Sequence, residues 1–432
     1  MINVALIYPE MYDLARFGEK RKEFPPFGVM YLASTIEKTG LKVSIFSVNE
    51  KEFILDLRGY DVIGFSIPSS ASYEIIKKSI FSSLYSKEKI ITVGGVHASI
   101  YPEETLIDLN PDIVVIGNGE ETMIEIIKNL FGRDFSQIKG IYYLQNKKII
   151  KNPQRLLERN IDWLPFPSRH LLPENDFIME NRLANTTVRM THVMLTRGCP
   201  FSCHFCAVLQ KKVQYRTAQN IKEELQHLKS KYNIGGFAIA DDNFIVNKKM
   251  VKNFCLAIKD LDLKWSALSR VDTIDYETLD LMHESGCIEI KFGVESGSTK
   301  ILSAMGKNIS IHQIKNAINL ADSIGIMVKI FLIHGFPGEN MSTTEETIEL
   351  LSEIKPKIDR VSLFRFVPLP GSYVFDNPEK FNLKILDPKK WDKYHIYNND
   401  YHWWGDEVDF KEMCAAYYKL KLYISNNWPE KF

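Results

Sequence analysis

The sequence predicts an α/β protein with two sheet-forming domains and a small α-rich tail. Short apolar runs alternate with helical patterns over residues 2–130, and again six times from residue 187. A chain of 432 residues is too long for one ordinary core, and 45% apolar with 25% charged residues is typical of a soluble globular protein. We predict an N-terminal domain at 1–150, a linker at 151–186, a barrel domain at 187–372 and a tail at 373–432.

The first domain is predicted to be a doubly wound, Rossmann-like sheet. Its strands are apolar at almost every position, which is typical of parallel strands covered on both faces by helices. Helices such as 28–39 and 73–85 separate them. The predicted strands are residues 4–8, 43–48, 62–67, 90–93 and 113–116.

Small and polar residues follow several of these strands. A doubly wound sheet binds its ligand beyond the carboxyl ends of its strands, and glycines let the backbone approach a bulky ligand. Ordinary turns are the alternative. The candidate ligand contacts are Ser66, Ser69, Ser70, Gly94, Gly95, Gly117, Gly119 and Glu120.

A weakly patterned stretch follows. Residues 138–144 and 148–151 predict a hairpin, and 152–173 contain four prolines with little periodicity. This stretch is expected to be a linker.

Six βα units are predicted in the second domain. They are too few to close an eight-stranded barrel, so we expect a partial (β/α)6 TIM barrel whose reactive groups lie at the carboxyl ends of the strands. The predicted strands are 188–195, 236–240, 264–268, 288–294, 328–333 and 360–366, and the helices include 221–230, 249–259, 276–284, 311–323 and 343–353.

Three cysteines lie within eight residues after the first barrel strand. The C-x3-C-x2-C spacing of Cys199, Cys203 and Cys206 suits an iron-sulfur cube, in which three thiolates each hold one iron and the fourth iron stays open. A structural zinc site needs a fourth ligand, and the other three cysteines are scattered singly. Three unrelated core cysteines and a disulfide are further alternatives.

The stretch Cys199-Pro-Phe-Ser-Cys203-His-Phe205-Cys206 resembles the cluster loop of the radical S-adenosylmethionine (SAM) superfamily. Nearly the whole chain resembles its cobalamin-binding branch. The resemblance implies a [4Fe-4S] cluster, SAM and cobalamin as cofactors, with cobalamin on the residues named above. It also implies that Phe205, Glu295 and Ser296 contact SAM.

Other strand ends offer charged partners for SAM. Asp241 and Asp242 are candidates to meet its ammonium group, although a helix N-cap by Asp242 or Asn243 is an alternative. Arg270 is a candidate partner for its carboxylate, and a salt bridge to Asp272 or Asp241 is the alternative.

The cobalamin assignment departs from the wider cobalamin fold in one respect. The Asp-x-His-x-x-Gly motif is absent, and the only histidine before residue 150 is His97. Either cobalamin binds without a protein histidine on cobalt, or the domain has lost the cofactor.

Catalytic residues are not evident from the motifs. His334 and Tyr401 are candidates, and a packing role is the alternative for His334. The tail is rich in aromatic residues, which predicts either a substrate lid or a small satellite core. It has no second cysteine cluster, so auxiliary iron-sulfur centres are not expected.

The resemblance implies an enzyme that methylates an unactivated carbon of a small metabolite. In such enzymes an adenosyl radical removes hydrogen, methylcobalamin delivers the methyl group, and a second SAM restores it. A radical cyclase or rearrangement enzyme, with cobalamin used differently or absent, is one alternative. A cobalamin-sensing module with a structural cluster is the other.

Charge and composition limit the partners. The formal charge is zero, with 54 residues of each sign, which disfavours a nucleic-acid substrate. No stretch is apolar enough to predict a membrane span, and few cysteines indicate the reducing cytoplasm. We expect a monomer that takes electrons from an external donor such as flavodoxin or ferredoxin.

Overall fold

The computed structural model describes residues 2–10, 24–86, 88–183, 186–396, 403–405 and 409–429. These residues form two compact units that are not continuous in sequence. The first unit comprises Met1–Glu158, Trp163–Phe177 and Pro388–His395, and the second comprises Arg159–Asp162, Ile178–Asp387 and Ile396–Phe432.

A seven-stranded sheet of order β2-β1-β3-β4-β5-β6-β7 forms the centre of the first unit. The first five strands are parallel, and the last two form an antiparallel hairpin at one edge. The strand order reverses between β1 and β3, which is where a doubly wound sheet opens a crevice. The strands are β1 Asn3–Pro9, β2 Lys42–Val48, β3 Val62–Ser66, β4 Ile90–Gly94, β5 Ile113–Val115, β6 Ile141–Gln145 and β7 Lys148–Lys151.

Helices cover this sheet because its strands are apolar on both faces. One core cluster joins Leu6 and Val115 of the sheet to Ala33 and Met123 of the helices, all of them buried. The predicted Rossmann-like fold is therefore confirmed. The helices are α1 Phe27–Glu37, α2 Tyr73–Ser82, α3 Val96–Ile100, α4 Pro102–Leu109 and α5 Glu120–Lys128.

The second unit is built on another seven-stranded sheet, of order β16-β15-β14-β13-β12-β9-β8. Six of its strands are parallel, as the partial barrel requires. The seventh, β8, is antiparallel to β9 and lies at the edge. The strands are β8 Met179–Leu183, β9 Thr186–Val193, β12 Gly236–Ile239, β13 Lys264–Ser269, β14 Cys287–Glu295, β15 Met327–His334 and β16 Arg360–Arg365, and β10 Thr196–Arg197 pairs with β11 Gln214–Tyr215 in a separate small sheet.

Side-chain caps fix where several barrel helices begin. Thr217, Asn247, Asp275 and Ser310 each accept a hydrogen bond from a first-turn amide, and Ser310 forms a capping box with Gln313. The helices are α6 Ala218–Tyr232, α7 Lys248–Ile258, α8 Tyr276–Glu284, α9 Thr299–Ala304, α10 Ile311–Ile324 and α11 Met341–Ile354.

The tail adds short elements to the second unit. A two-stranded sheet, β17 Leu383–Ile385 and β18 Trp403–Gly405, and the helices α12 Tyr373–Asp376 and α13 Phe410–Asn427 follow the barrel. Trp403 and Met413 join a satellite cluster with Phe336 and Phe366, all of them buried. This part of the tail forms the small core that was the alternative to a lid.

Two details correct the sequence predictions. The stretch 151–186 is not irregular throughout, because it contains β8 and the first residue of β9. The hairpin strand predicted from residue 138 begins at Ile141. Within the described ranges, every helix is too short or too polar to cross a membrane.

Candidate functional site

The cysteine loop leaves the small sheet directly after Arg197 of β10. The Cys199 amide donates to the Gln210 carbonyl at 3.0 Å, which anchors the start of the loop, and the Cys206 amide donates to the Cys203 carbonyl at 3.1 Å, which forms a turn within it. All three cysteines are partly exposed. Gly198 has φ of +93°, and a Cβ there would lie 2.6 Å from the Gln210 carbonyl oxygen, so only glycine fits.

Three partly exposed thiols on one short loop suit a polynuclear cluster. Within the described ranges, no three Cys, His, Asp or Glu side chains are gathered closely enough to hold one metal ion. A cube takes one thiolate per iron, so its ligands need not converge on a point. Burial raises the pKa of Cys199, and raises that of Cys206 to about 11, so cluster assembly must displace protons from these thiols.

His204 lies inside the loop but faces the barrel wall. Its amide donates to the Met305 carbonyl at 2.8 Å, and its Nδ1 lies 2.8 Å from the Ala304 carbonyl oxygen. Its ring packs against Tyr373 and Phe381, with centroids 4.8 and 5.6 Å apart. His204 therefore anchors the loop to the turn after α9.

Asp241 follows β12 and is buried. Its Oδ1 accepts from the Leu195 amide and its Oδ2 from the Thr196 hydroxyl, both at 2.8 Å. Desolvation raises its pKa to about 7. These contacts tie Asp241 to the start of the cysteine loop, whereas Asp242 beside it is exposed and is the carboxylate more open to a ligand.

The helix-cap alternative for this segment is wrong. Asn247, not Asp242 or Asn243, caps α7 by accepting from the Met250 amide. Asn243 is buried and accepts from the Ser269 hydroxyl at 3.2 Å.

Arg270 lies just beyond β13 and has its guanidinium engaged. Its Nε and Nη2 donate to the two oxygens of Asp272 at 2.9 and 2.8 Å, and Nη2 also donates to the Lys307 carbonyl at 2.7 Å. Its Nη1 lies 3.5 Å from Cys203 Sγ, and the group stacks over the Phe201 ring at 4.0 Å. This arrangement favours the salt-bridge alternative and makes Arg270 a brace for the cysteine loop.

Glu295 ends β14 with a left-handed backbone, φ +69°. Its Oε1 accepts from Lys307 Nζ at 2.5 Å, and both side chains are buried. Lys307 Nζ also lies 5.8 Å from the centre of the Phe205 ring. The structure thus places both Phe205 and Glu295 close to Lys307, a residue that the sequence did not single out.

Ser296 is buried and helps to shape the loop. Its hydroxyl accepts from the Ser298 amide at 3.1 Å and lies 3.3 Å from the Thr347 hydroxyl. A Cβ on Gly297 would lie 2.5 Å from Thr347 Cα, so the loop approaches α11 as closely as glycine permits.

His334 ends β15 and is buried. Its Nε2 lies 3.0 Å from the Thr344 hydroxyl, and its ring centroid is 5.7 Å from that of Tyr417. Desolvation lowers its pKa to about 4, so the ring is neutral at pH 7. This placement favours a packing role. The other catalytic candidate, Tyr401, lies outside the described residues.

In the first unit, the predicted ligand contacts follow β3, β4 and β5, which are adjacent in the sheet. Gly95 lies against the loop after β3, and the His97 amide donates to the Ile67 carbonyl at 3.1 Å. The structure therefore brings the predicted contacts together at the carboxyl ends of three adjacent strands. Ser66, Ser69, Gly94, Gly95, Gly117 and Gly119 are at least partly exposed there, whereas Ser70 and Glu120 are buried.

The burial of Ser70 has a specific cause. Its hydroxyl lies 2.9 Å from His97 Nδ1, and the His97 ring is enclosed by Tyr73, Tyr101 and Trp391. Desolvation lowers the pKa of His97 to about 4. The sequence offered no signal for this contact, because Trp391 comes from the distant tail.

Two family models match the chain. Residues 193–351 match the Radical SAM superfamily, and residues 17–127 match the B12 binding domain. A radical SAM domain uses a [4Fe-4S] cluster and SAM, and a B12-binding domain takes cobalamin. The three predicted cofactors are confirmed at the level of these domains.

Individual proteins resemble the chain over most of its length. An uncharacterised methyltransferase of Pyrococcus horikoshii is 32% identical over 383 residues, covering 86% of this chain and 81% of the relative. The anaerobic magnesium-protoporphyrin IX monomethyl ester cyclase of Rubrivivax gelatinosus is 26% identical, covering 87% and 69%. The structure of the methyltransferase TsrM from Kitasatospora setae, with cobalamin and [4Fe-4S] cluster bound, shares the fold at 13% identity, with a TM-score of 0.72 and coverage of 99% and 89%.

Proposed function

The chain belongs to the radical SAM superfamily, in the branch with a B12-binding domain before the radical domain, and we propose that it methylates an unactivated carbon of a small molecule. The observation that carries the proposal is the coexistence of both domains in a chain 32% identical to a protein named as a methyltransferase. The cysteine loop, braced on two sides beside Glu295, supports the radical part of the chemistry.

Residues 1–150 are proposed to hold cobalamin, and residues 187–372 to hold the cluster and SAM, with 151–186 as connector and 373–432 as tail. Cys199, Cys203 and Cys206 would ligate the cluster. Together, these cofactors supply a radical that removes hydrogen from the substrate and a methyl group that replaces it.

The chain's own residues are proposed to bind and orient SAM and the corrin. Glu295 is proposed to accept the ribose hydroxyls of SAM through Oε2, because Oε1 is occupied by Lys307. Asp242, exposed beside the cysteine loop, is the proposed partner of the SAM ammonium. Gly117, which is exposed, and the partly exposed Gly94, Gly95 and Gly119 are the glycines proposed to lie against the corrin.

A second candidate function is favoured by one comparison. The Rubrivivax gelatinosus relative is named as a cyclase, so ring closure without methyl transfer is the alternative reaction. For either reaction, we propose a cytoplasmic monomer reduced by flavodoxin or ferredoxin.

The two reactions differ in the products of SAM. Anaerobically reconstituted protein is incubated with hydroxocobalamin, SAM and a chemical reductant, and nucleoside products are separated by chromatography. Methylation predicts S-adenosylhomocysteine together with 5′-deoxyadenosine. A Cys203→Ala variant should lose 5′-deoxyadenosine and form S-adenosylhomocysteine in at most stoichiometric amount with cobalamin, because methylcobalamin is then no longer consumed. Formation of 5′-deoxyadenosine alone by the wild type, with cobalamin bound, would contradict methyl transfer.

A further inference from the structure

Lys307 is a buried cation beside the proposed SAM site. Its side chain is 5% exposed, and its Nζ donates to Glu295 Oε1 at 2.5 Å. A buried ammonium is stable only when it is paired, and the same holds for a buried carboxylate. The two residues therefore hold each other in position.

The surrounding backbone is shaped to admit this pair. A Cβ on Gly293 would lie 2.4 Å from Glu295 Oε1 and 2.8 Å from Lys307 Nζ, so the pair occupies the space that any other residue at 293 would fill. Glu295 itself has φ of +69°, a conformation that a non-glycine residue adopts only when its surroundings hold it there. The left-handed turn and the glycine together direct the carboxylate to Lys307.

The turn that carries Lys307 also braces the cysteine loop. The carbonyl of Lys307 accepts from Arg270, whose Nη1 reaches Cys203 Sγ, and the carbonyls of Ala304 and Met305 face His204. One short turn thus fixes both the cluster loop and Glu295. The contacts with Arg270 and His204 use backbone carbonyls, so replacement of the Lys307 side chain removes the contacts with Glu295 and the Phe205 ring and leaves these carbonyls in place.

We infer that Lys307 is a positioning residue that holds the Glu295 carboxylate in one orientation, so that Oε2 points to the SAM ribose. The inference rests on the proposed role of Glu295. Among the described residues, Oε2 accepts no hydrogen bond, so this oxygen is available to a ligand while Oε1 is held. In this proposal Lys307 acts on SAM only through Glu295.

The test is a double-mutant cycle on the reconstituted holoenzyme. SAM affinity is measured by equilibrium dialysis, and iron per chain is determined in parallel for the wild type, Lys307→Met, Glu295→Gln and the double variant. Lys307→Met and Glu295→Gln should each weaken SAM binding about tenfold or more, with iron content unchanged. The double variant should bind no worse than Glu295→Gln, because the lysine acts through the carboxylate.

Two further variants separate positioning from a structural defect. Gly293→Ala should reproduce the weaker SAM binding without removing a charge. Lys300→Met, an exposed lysine on the adjacent α9, should bind SAM like the wild type. If Lys307→Met alone fails to fold, the double variant, which removes both buried charges, provides the comparison with Glu295→Gln.

The outcomes distinguish the ribose contact of Glu295 from the positioning role of Lys307. Unchanged SAM affinity in Glu295→Gln would overturn the proposed ribose contact itself. Weakened binding in Glu295→Gln with normal binding in Lys307→Met would overturn only the role of Lys307. Additive losses in the double variant, or loss of iron in Lys307→Met, would also overturn that role.

Discussion

The indole of Trp391 packs edge-on against the imidazole of His97, with ring centroids 4.9 Å apart and planes at 74°. Trp391 also lies 5.0 Å from the Tyr101 ring and 6.3 Å from that of Tyr73. It is 4% exposed, and its segment, Pro388–His395, belongs to the first unit. This part of the tail therefore completes the core of that unit.

We expect Trp391→Ala to destabilise the first unit by about 3–5 kcal/mol, since it removes a large buried ring from an aromatic cluster. Hydrogen exchange at the amides of β3 and β4 measures this loss, and residues 388–395 should become accessible to protease. Trp163→Ala, at a half-exposed tryptophan of the same unit, is the control. Equal effects of the two substitutions would show that the aromatic cluster contributes no special stability.

The sequence predicted the parts of the fold that depend on local patterns. Parallel strands such as β4 are apolar on both faces and are readily recognised. The edge strand β8, Met-Glu-Asn-Arg-Leu, pairs on one side only and carries polar residues, so its pattern did not distinguish it from a linker. The position of Trp391 was not predictable for a different reason, because nothing local to the tail specifies its contact with His97 and Tyr101.

In the candidate site, too, features set by local sequence were predictable and those set by distant contacts were not. The cysteine spacing is local, and the positions of Glu295 and Asp241 follow from strand ends. Lys307 was missed because its role depends on a turn that returns to β14. The sequence left two interpretations of Arg270 open, a partner of the SAM carboxylate and a salt bridge. The geometry favours the salt bridge with Asp272.

Cys203→Ala should abolish the cluster, because a cube bound by two thiolates lacks the third anchor. Iron per chain and the broad visible absorbance of the anaerobically reconstituted protein measure this. Cys414→Ala, at a partly exposed cysteine outside the loop, should retain both signals. Wild-type protein that takes up stoichiometric zinc and no iron would contradict the cluster.

The buried His97 should make the first unit sensitive to acid. Its pKa is lowered from 6.5 to about 4 by desolvation, so the unfolded chain takes up a proton at a higher pH than the folded one. The histidine's contribution is complete above about pH 6.5 and is lost as pH falls towards about 4, up to about 3 kcal/mol.

His97→Gln should flatten this dependence between about pH 6.5 and 4, as measured by urea unfolding with hydrogen exchange at β4. His312→Gln, at an exposed histidine, should leave the wild-type slope intact. An unchanged slope in His97→Gln would assign the acid sensitivity to other groups.

Gly95→Ala should destabilise the loop that follows β4. Gly95 has φ of +101° and ψ of −175°, a region that only glycine occupies readily, and a Cβ would lie 2.5 Å from the Ile67 carbonyl oxygen. The backbone strain alone costs about 1–3 kcal/mol, and the clash adds to it. The strain and the clash together should lower the urea midpoint of the first unit. They should also weaken the binding of hydroxocobalamin, measured by dialysis.

The neighbouring Gly94→Ala is the matched control. Its added methyl would meet Val115 at 3.6 Å, an ordinary van der Waals contact, and the stability of the unit should change little. If the two alanine variants unfold at the same urea concentration, the tight approach of Gly95 to Ile67 does not hold the two loops together. If Gly95→Ala is destabilised yet binds hydroxocobalamin as tightly as the wild type, corrin binding does not depend on this loop. The substitution would then have displaced the loop without changing the affinity for the corrin.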